Sequence, residues 1–149
     1  GVEYIDIGIH SKETVIRDLI KKKGKTKIII SYHEFQSKKH APFAERLHFL
    51  EKISEKAYLL GADITKIVTT PANTRDLAIL FELAHKLKQK KKKFIILGMG
   101  KFGVITRMAA PLLGSEWLYA SIREKDRTAE GQLTLQDMKN IFKMVWHSK

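Results

Sequence analysis

Hydrophobic positions along the chain follow two periods, one typical of strands and one typical of helices. Short apolar runs rich in β-branched residues predict five strands, at 2–9, 27–32, 64–70, 94–99 and 117–122. After each run, apolar residues recur every three or four positions, which predicts five helices. Repeated strand–helix units predict an α/β fold with a parallel sheet and right-handed crossovers. No linker or repeat divides the chain, so residues 1–149 are predicted to form a single domain.

Capping residues set the predicted starts of several helices. Ser11 and Thr74 are the predicted N-caps of the first and third helices, and Thr134 with Asp137 matches a capping box before the last one. The last helix is expected to turn five apolar side chains inward, namely Leu135, Met138, Ile141, Phe142 and Val145.

Composition limits the function classes that need to be considered. The chain carries 28 Lys+Arg against 16 Asp+Glu, a net charge of +12. The lysines cluster at 21–27 and 86–93, where helices are predicted to end, which favours a solvated surface over nucleic-acid binding. The absence of Cys excludes disulfides, thiol nucleophiles and cysteine zinc sites, and fits a reducing, cytoplasmic compartment. No apolar run reaches the roughly 18 residues of a membrane span, so no membrane association is predicted.

Lys66 carries the sharpest chemical signal. Parallel α/β sheets place their chemistry at the carboxyl ends of the strands, and Lys66 lies within the apolar strand ITKIVT. A buried ammonium is either paired with an acid or has a depressed pKa. A lysine with a lowered pKa can attack a carbonyl and form an imine. The alternative is a lysine that extends from the strand end to solvent.

His33 and Arg107 are the next candidates. His33 follows the strand KIIISY and could act as a general base and then as a general acid, or be a hydrogen-bonded structural histidine. Arg107 follows the glycine-rich stretch GMGKFG and could bind an anion, or be a surface arginine. A nucleotide site is a weak interpretation of that stretch, because its third glycine comes one residue early. The remaining histidines are interpreted as surface residues without metal-ligand spacing: His10, His40, His48, His85 and His147.

Five motifs in order give a family resemblance. ISYHEF (30–35), GADITKIV (61–68), GMGKFGVITR (98–107), LLGSEWLYAS (112–121) and AEGQ (129–132) resemble type I 3-dehydroquinate dehydratases over nearly the whole chain. The resemblance implies a (β/α)8 barrel of the TIM type that needs no metal or cofactor. The five predicted strands would match the fourth to eighth strands of that barrel. The N-terminal three βα units would then be absent from this chain.

The resemblance also implies the site and its chemistry. Lys66 would form a Schiff base with the ring ketone of 3-dehydroquinate, and the protonated imine would act as an electron sink. His33 would remove the adjacent ring proton and protonate the departing hydroxyl. The product would be 3-dehydroshikimate, in the shikimate pathway of aromatic amino acid biosynthesis. The implied substrate-binding residues are Arg107 for the carboxylate, Thr128 and Gln132 in a closing loop, and Met99 and Tyr119 as apolar walls.

Three residues differ from the usual pattern of the family, and several alternative functions stay open. The family usually has Ser at position 128, Pro at 130 and Glu at 8, where this chain has Thr128, Glu130 and Gly8. The sequence begins without Met, and we expect it to be part of a longer fold, completed by a companion N-terminal segment; a homodimer is a further option. The alternatives are an inactive fragment, another lysine-imine barrel enzyme resembling a class I aldolase, and a basic nucleic-acid-binding module.

Overall fold

Helices and strands alternate along the chain, as the sequence predicts. The computed structural model describes residues 1–35 and 41–146, with Trp146 described through its backbone alone. The elements are β1 (Tyr4–Gly8), α1 (Glu13–Lys22), β2 (Lys27–His33), α2 (Phe43–Leu59), β3 (Ile64–Thr69), α3 (Thr74–Gln89), β4 (Phe94–Gly98), α4 (Gly100–Leu113) and α5 (Leu135–Trp146). A short 3-10 turn at Glu124–Asp126 precedes α5. The four strands pair in parallel in chain order, with β1 and β4 at the edges.

The sheet separates a helix-covered outer face from an inner face. On the outer face, Ile30, Ile67 and Ile96 are buried in one apolar core with α1, α2 and α3. On the inner face, Ser31 lies beside Lys66, and Lys66 lies beside Ile95 on β4. Side chains alternate between faces along a strand, so Ser31 and Lys66 share the inner face while their neighbours Ile30 and Ile67 face the helices.

The predicted fifth strand is wrong. Residues 117–122 form no strand ladder, and Ser121 makes only an isolated bridge to Thr134. Glu116 donates its N–H to Phe94 at the start of β4, but the chain then leaves the sheet. Beyond Glu116 the backbone bonds to groups outside the sheet; the Tyr119 carbonyl, for example, accepts a bond from the Arg107 side chain. The sheet therefore has four paired strands among the described residues rather than five.

Two predicted N-caps are also wrong, each by one residue. The N-cap of α1 is Lys12 rather than Ser11, and no side chain caps it. The N-cap of α3 is Asn73 rather than Thr74, and its Oδ1 accepts the N–H of Asp76 at 3.0 Å. Asn and Thr are both favoured N-cap residues, so the sequence alone allows either Asn73 or Thr74 to begin α3.

The capping box before α5 is confirmed, but the predicted inward face of that helix is not. Thr134 Oγ1 accepts the Asp137 N–H at 3.1 Å, and Asp137 Oδ2 accepts the Thr134 N–H at 3.0 Å. Of the five predicted inward residues, only Met138 is fully buried, whereas Leu135 and Val145 are 49% and 57% exposed.

Charged and histidine side chains lie mostly on the surface. The two lysine clusters lie at the amino end of the sheet, away from the carboxyl ends of the strands. His10, His48 and His85 are exposed as predicted, and His40 and His147 lie outside the described residues. Within residues 1–35 and 41–146, no helix has the length and apolar content to cross a membrane. The same residues hold no cluster of three acid or histidine side chains that could bind a metal ion.

Candidate active site

A cleft opens on the inner face of the sheet, at the carboxyl ends of the central strands. Its empty volume is about 670 Å³, part of it open to solvent, which is ample for a small cyclic acid. All seven residues singled out from the sequence line this cleft: His33, Lys66, Met99, Arg107, Tyr119, Thr128 and Gln132. Four further residues complete its walls: Phe35, Val68, Leu97 and Ala129. The seven residues singled out from the sequence thus share one cleft, and their functional roles stay predictions.

Lys66 is largely but not fully buried, and it is paired with an acid. Its side chain is 13% exposed, and its Nζ lies 2.9 Å from Oδ2 of Asp6 on β1. The same Nζ lies 4.6 Å from the ring centre of Tyr119, close enough for a cation–π contact. The lysine therefore does not extend to bulk solvent. Asp6 was missed by the sequence analysis, although alternation in the strand IDIGI places it on one face with Gly8.

His33 ends β2 and faces the cleft. Its ring stacks on Phe35, with centroids 6.0 Å apart and planes 12° from parallel. Burial lowers the pKa of His33, and the nearby Lys66 ammonium lowers it further, against the opposing effect of Asp6. A neutral imidazole at neutral pH is free to accept a proton, as general-base chemistry requires.

Arg107 is a buried cation with few partners. The residue is 4% exposed, and its Nη1 donates to the carbonyl of Tyr119 at 3.2 Å. Its buried Nε has no partner among the described residues. Burial lowers the pKa of this guanidinium. A buried guanidinium with unused donors is suited to bind a carboxylate, because the charge-assisted bonds would compensate its desolvation.

The glycine-rich stretch GMGKFG has a packing role. A Cβ on Gly103 would lie 2.3 Å from the carbonyl carbon of Gly98, so the two backbones touch directly. Thr106 Oγ1 accepts the Gly98 N–H at 2.7 Å and donates to the Gly103 carbonyl at 2.6 Å. These contacts hold α4 against the end of β4. Arg107 follows Thr106 on this helix, so its position depends on the glycine contact.

The loop before α5 covers the start of α4. Oε1 of Gln132 accepts two bonds from Thr128, from its N–H at 2.7 Å and from its Oγ1 at 3.1 Å. Gly131 has a φ of +75°, and a Cβ there would lie 2.7 Å from the Gly100 carbonyl oxygen. Gly100 in turn donates its N–H to the Glu130 carbonyl at 3.0 Å. The loop is therefore positioned at the cleft by backbone contacts that tolerate no side chain at 131.

Apolar side chains form the rest of the cleft. Met99 and Tyr119 belong to the inner-face cluster that also contains Val68 and Leu97. The site combines an amine, an imidazole and a guanidinium with apolar walls, which suits imine chemistry on an anionic ketone.

Comparison with known protein families distinguishes between the functions that this arrangement of side chains allows. A family model described as type I 3-dehydroquinase matches residues 1–149. The chain belongs to this family. A 3-dehydroquinate dehydratase of Thermodesulfovibrio yellowstonii is 35% identical over 144 residues, which cover 95% of this chain and 58% of that enzyme. One of Methanosarcina barkeri is 31% identical over 149 residues, which cover 97% of this chain and 58% of the relative.

Solved structures of type I dehydroquinases and their relatives agree with this assignment. The 3-dehydroquinate dehydratase of Aquifex aeolicus is 27% identical with a TM-score of 0.78, over 97% of this chain and 61% of that one. That of Geobacillus kaustophilus has a TM-score of 0.84 at 23% identity, over 99% of this chain and 55% of that one, which shows a shared fold. The chain spans about 58% of the length of the curated relatives named above. Its four strands are thus part of the family's barrel, and neither the aldolase-like nor the nucleic-acid alternative is favoured.

Proposed function

We propose that this chain is the imine-forming part of a 3-dehydroquinate dehydratase, a lyase of the shikimate pathway. One observation carries the proposal: the seven side chains that the resemblance implies converge on one cleft. An amine, an imidazole and a buried guanidinium lie around an apolar wall, within a family whose curated members bear that name.

Lys66 forms the covalent bond in this proposal. Its ammonium must first lose a proton, and the Asp6 carboxylate at 2.9 Å is placed to accept it. The free amine then attacks the ring ketone, and loss of one water from the carbinolamine gives the imine. Protonation of the imine nitrogen lets it accept the electron pair of the neighbouring carbon–hydrogen bond when that bond breaks.

His33 moves the protons of the dehydration step. Its neutral ring removes the proton beside the imine carbon, which leaves an enamine. The resulting imidazolium then protonates the ring hydroxyl, which departs as water in a syn elimination. A second water hydrolyses the imine, releases 3-dehydroshikimate and restores Lys66. Arg107 binds the substrate carboxylate, Thr128 and Gln132 close the loop over it, and Met99 and Tyr119 exclude water.

Borohydride trapping tests this proposal directly. Incubating the chain with 3-dehydroquinate and borohydride should add one reduced substrate mass to Lys66, located by peptide mass spectrometry. Lys66→Ala should abolish the adduct, whereas Lys101→Ala, at an exposed lysine of α4, should keep it. If neither the parent chain nor Lys101→Ala forms an adduct, the imine proposal is wrong.

The proposal also covers the binding partners of the chain and its location in the cell. We infer that a companion N-terminal segment pairs with the free edge of β1, because a closed barrel leaves no strand edge open. A cytoplasmic location is supported by the cysteine-free sequence and by the metabolic reaction proposed. Self-association into a homodimer stays a prediction, which sedimentation velocity of the purified chain tests.

A further inference from the structure

One buried carboxylate lies outside the cleft, directly after His33. Glu34 is 8% exposed and follows the last residue of β2. Successive strand residues point to opposite faces, so Tyr32 and Glu34 point to the helices while His33 points to the cleft. The proposed chemistry does not use Glu34, and a buried carboxylate in that position needs another explanation.

Every polar group of Glu34 that the structure describes has a partner. Its Oε1 forms an ion pair with Nη2 of Arg46 on α2, and its Oε2 accepts a bond from the Tyr32 hydroxyl at 2.9 Å. Its N–H donates to the Val68 carbonyl at 2.8 Å, and its carbonyl accepts from the Thr70 hydroxyl at 3.1 Å. Side chain and backbone are therefore fixed at the same time.

The bond between Tyr32 and Glu34 spans His33. It joins the residues on either side of His33 on the outer face, so the backbone at His33 cannot rotate without breaking it. The Arg46 side chain is 10% exposed and packs over the Phe49 ring, with its guanidinium carbon 5.2 Å from the ring centre. This arrangement connects α2 to the end of β2 through one carboxylate.

We propose that Glu34, held by Arg46 and Tyr32, is a positioning residue that fixes the direction in which His33 enters the cleft. A buried ion pair contributes little net stability, but it specifies one geometry, because its charges are satisfied in only one arrangement. The proposal rests on the proposed acid–base role of His33. Its test therefore includes a readout that needs no substrate.

The test compares two variants and one control in the 149-residue chain. Glu34→Leu/Arg46→Met removes both charges without leaving either one buried alone. Tyr32→Phe removes only the hydroxyl that spans His33. The control, Asp63→Asn, removes the carboxylate of the Lys23–Asp63 ion pair at the opposite end of the sheet.

The substrate-free readout is imidazole ¹H–¹⁵N NMR of His33 across a pH titration. In both variants the ring should change its position relative to Lys66, whose ammonium lowers the pKa of His33, so the ring resonances should broaden or shift and the pKa should rise towards the ordinary value. The Asp63→Asn spectrum should match that of the parent chain. Urea unfolding identifies variants that fold; if the double variant does not, Tyr32→Phe decides. Unchanged His33 resonances and pKa in a folded variant would overturn the proposal.

Turnover provides a second readout wherever dehydration is measurable. We expect kcat to fall by about tenfold to a hundredfold with KM nearly unchanged, because a misdirected base still permits binding. Equal loss in Asp63→Asn would show a general structural effect and count against positioning. If the parent chain shows neither turnover nor an imine adduct, the proposed function fails, and the NMR comparison still decides the role of Glu34.

Discussion

At the scale of single residues, the charges around His33 act in opposite directions. Lys66 lowers the pKa of His33, Asp6 raises it, and burial is the largest lowering effect. We therefore predict that Lys66→Met raises the pKa of His33 and that Asp6→Asn lowers it further. NMR titration of the ring measures both shifts, with exposed His85 as a resonance that should not respond. Shifts of the same sign in both variants would contradict this account of the site.

The same depressed pKa predicts how stability depends on pH. The unfolded chain binds a proton at His33 more readily than the folded chain, with a pKa near the ordinary value of about 6.5. The contribution of this ring to stability is therefore complete above that value and is lost as the pH falls through the lower folded pKa. Urea unfolding across this range should show a smaller acid-side loss for His33→Gln. An equal loss would assign the pH dependence to other groups.

Replacing either of two largely buried arginines, Arg46 and Arg107, by Met should lower stability by very different amounts. Arg46→Met leaves the Glu34 carboxylate buried without its partner, which should cost about 3–5 kcal/mol of unfolding free energy. Arg107→Met removes a cation that has no ion pair among the described residues, so stability should change by about 1 kcal/mol or less.

Substrate affinity should reverse this order. Arg107→Met should weaken 3-dehydroquinate binding by about tenfold to a hundredfold, the value of a charged hydrogen bond. Urea unfolding and calorimetric titration measure the two effects. A large stability loss in Arg107→Met would show that this arginine serves the fold rather than a ligand.

The sequence identifies residues whose position in a strand is enough to suggest chemistry. Lys66 and His33 are polar residues in or after apolar runs, so the strand-end rule finds them. Asp6 and Glu34 are significant only through partners on other elements, Lys66 on β3 and Arg46 on α2. Such pairings depend on strand register and helix packing, which periodicity does not determine.

At the scale of elements, the contact between β4 and α4 predicts that a side chain at Gly103 lowers the free energy of unfolding. Gly103→Ala places a methyl group 2.3 Å from the Gly98 backbone, so α4 must move, at a cost of about 1–3 kcal/mol or more. Gly8→Ala is the matched control, because its Cβ would meet nothing within 4 Å; it should gain about 0.5–1 kcal/mol.

The displaced helix should also affect the site. Because Arg107 lies four residues after Gly103, Gly103→Ala should weaken carboxylate binding, whereas Gly8→Ala should leave it nearly unchanged. Urea unfolding and calorimetric titration of both variants provide the comparison. Stability of Gly103→Ala equal to that of the parent would contradict the close contact.

The spacing of apolar residues along a helix predicts which of them are buried when the helix has neighbouring helices on both sides. Leu80, Leu83 and Ala84 of the central α3 are buried, as their spacing predicts. On the flanking α5, Leu135 and Val145 remain exposed, because that helix packs mainly beside α4. The apolar segment 117–122 likewise predicts a strand, but a strand needs a ladder, and the chain there bonds to Arg107 and the α5 loop instead.

At the scale of the whole molecule, charge and chemistry occupy opposite ends of the sheet. The lysine clusters at 21–27 and 86–93 begin in the last turns of α1 and α3 and extend to the amino ends of β2 and β4. Several are paired: Lys23 with Asp63, and Lys93 with Glu116. The cleft at the other end carries Lys66 and Arg107. The +12 charge is therefore mostly remote from the proposed chemistry.

The free edge of β1 has backbone groups ready for another strand. Ile9 donates its N–H to the Ser31 carbonyl, and the Glu3 carbonyl accepts from Lys27, so odd-numbered residues bond to β2. In a parallel ladder the alternate residues face the other way, which directs the N–H groups of Tyr4, Asp6 and Gly8 to the open edge. A companion segment should bind there in register.

Mixing two chains tests whether that edge completes the barrel. We predict that the N-terminal three βα units of the Thermodesulfovibrio yellowstonii enzyme bind this chain and slow hydrogen exchange at Asp6 and Gly8. Gly8→Pro removes one edge N–H and should weaken binding by about tenfold, whereas Gly8→Ala should not. Dehydration should be weak or absent in the isolated chain and rise to saturation at one companion per chain, because Asp6, the ion-pair partner of Lys66, lies on the edge strand β1. Full turnover without the companion, or binding that leaves β1 exchange unchanged, would show that the open edge is not where the barrel closes.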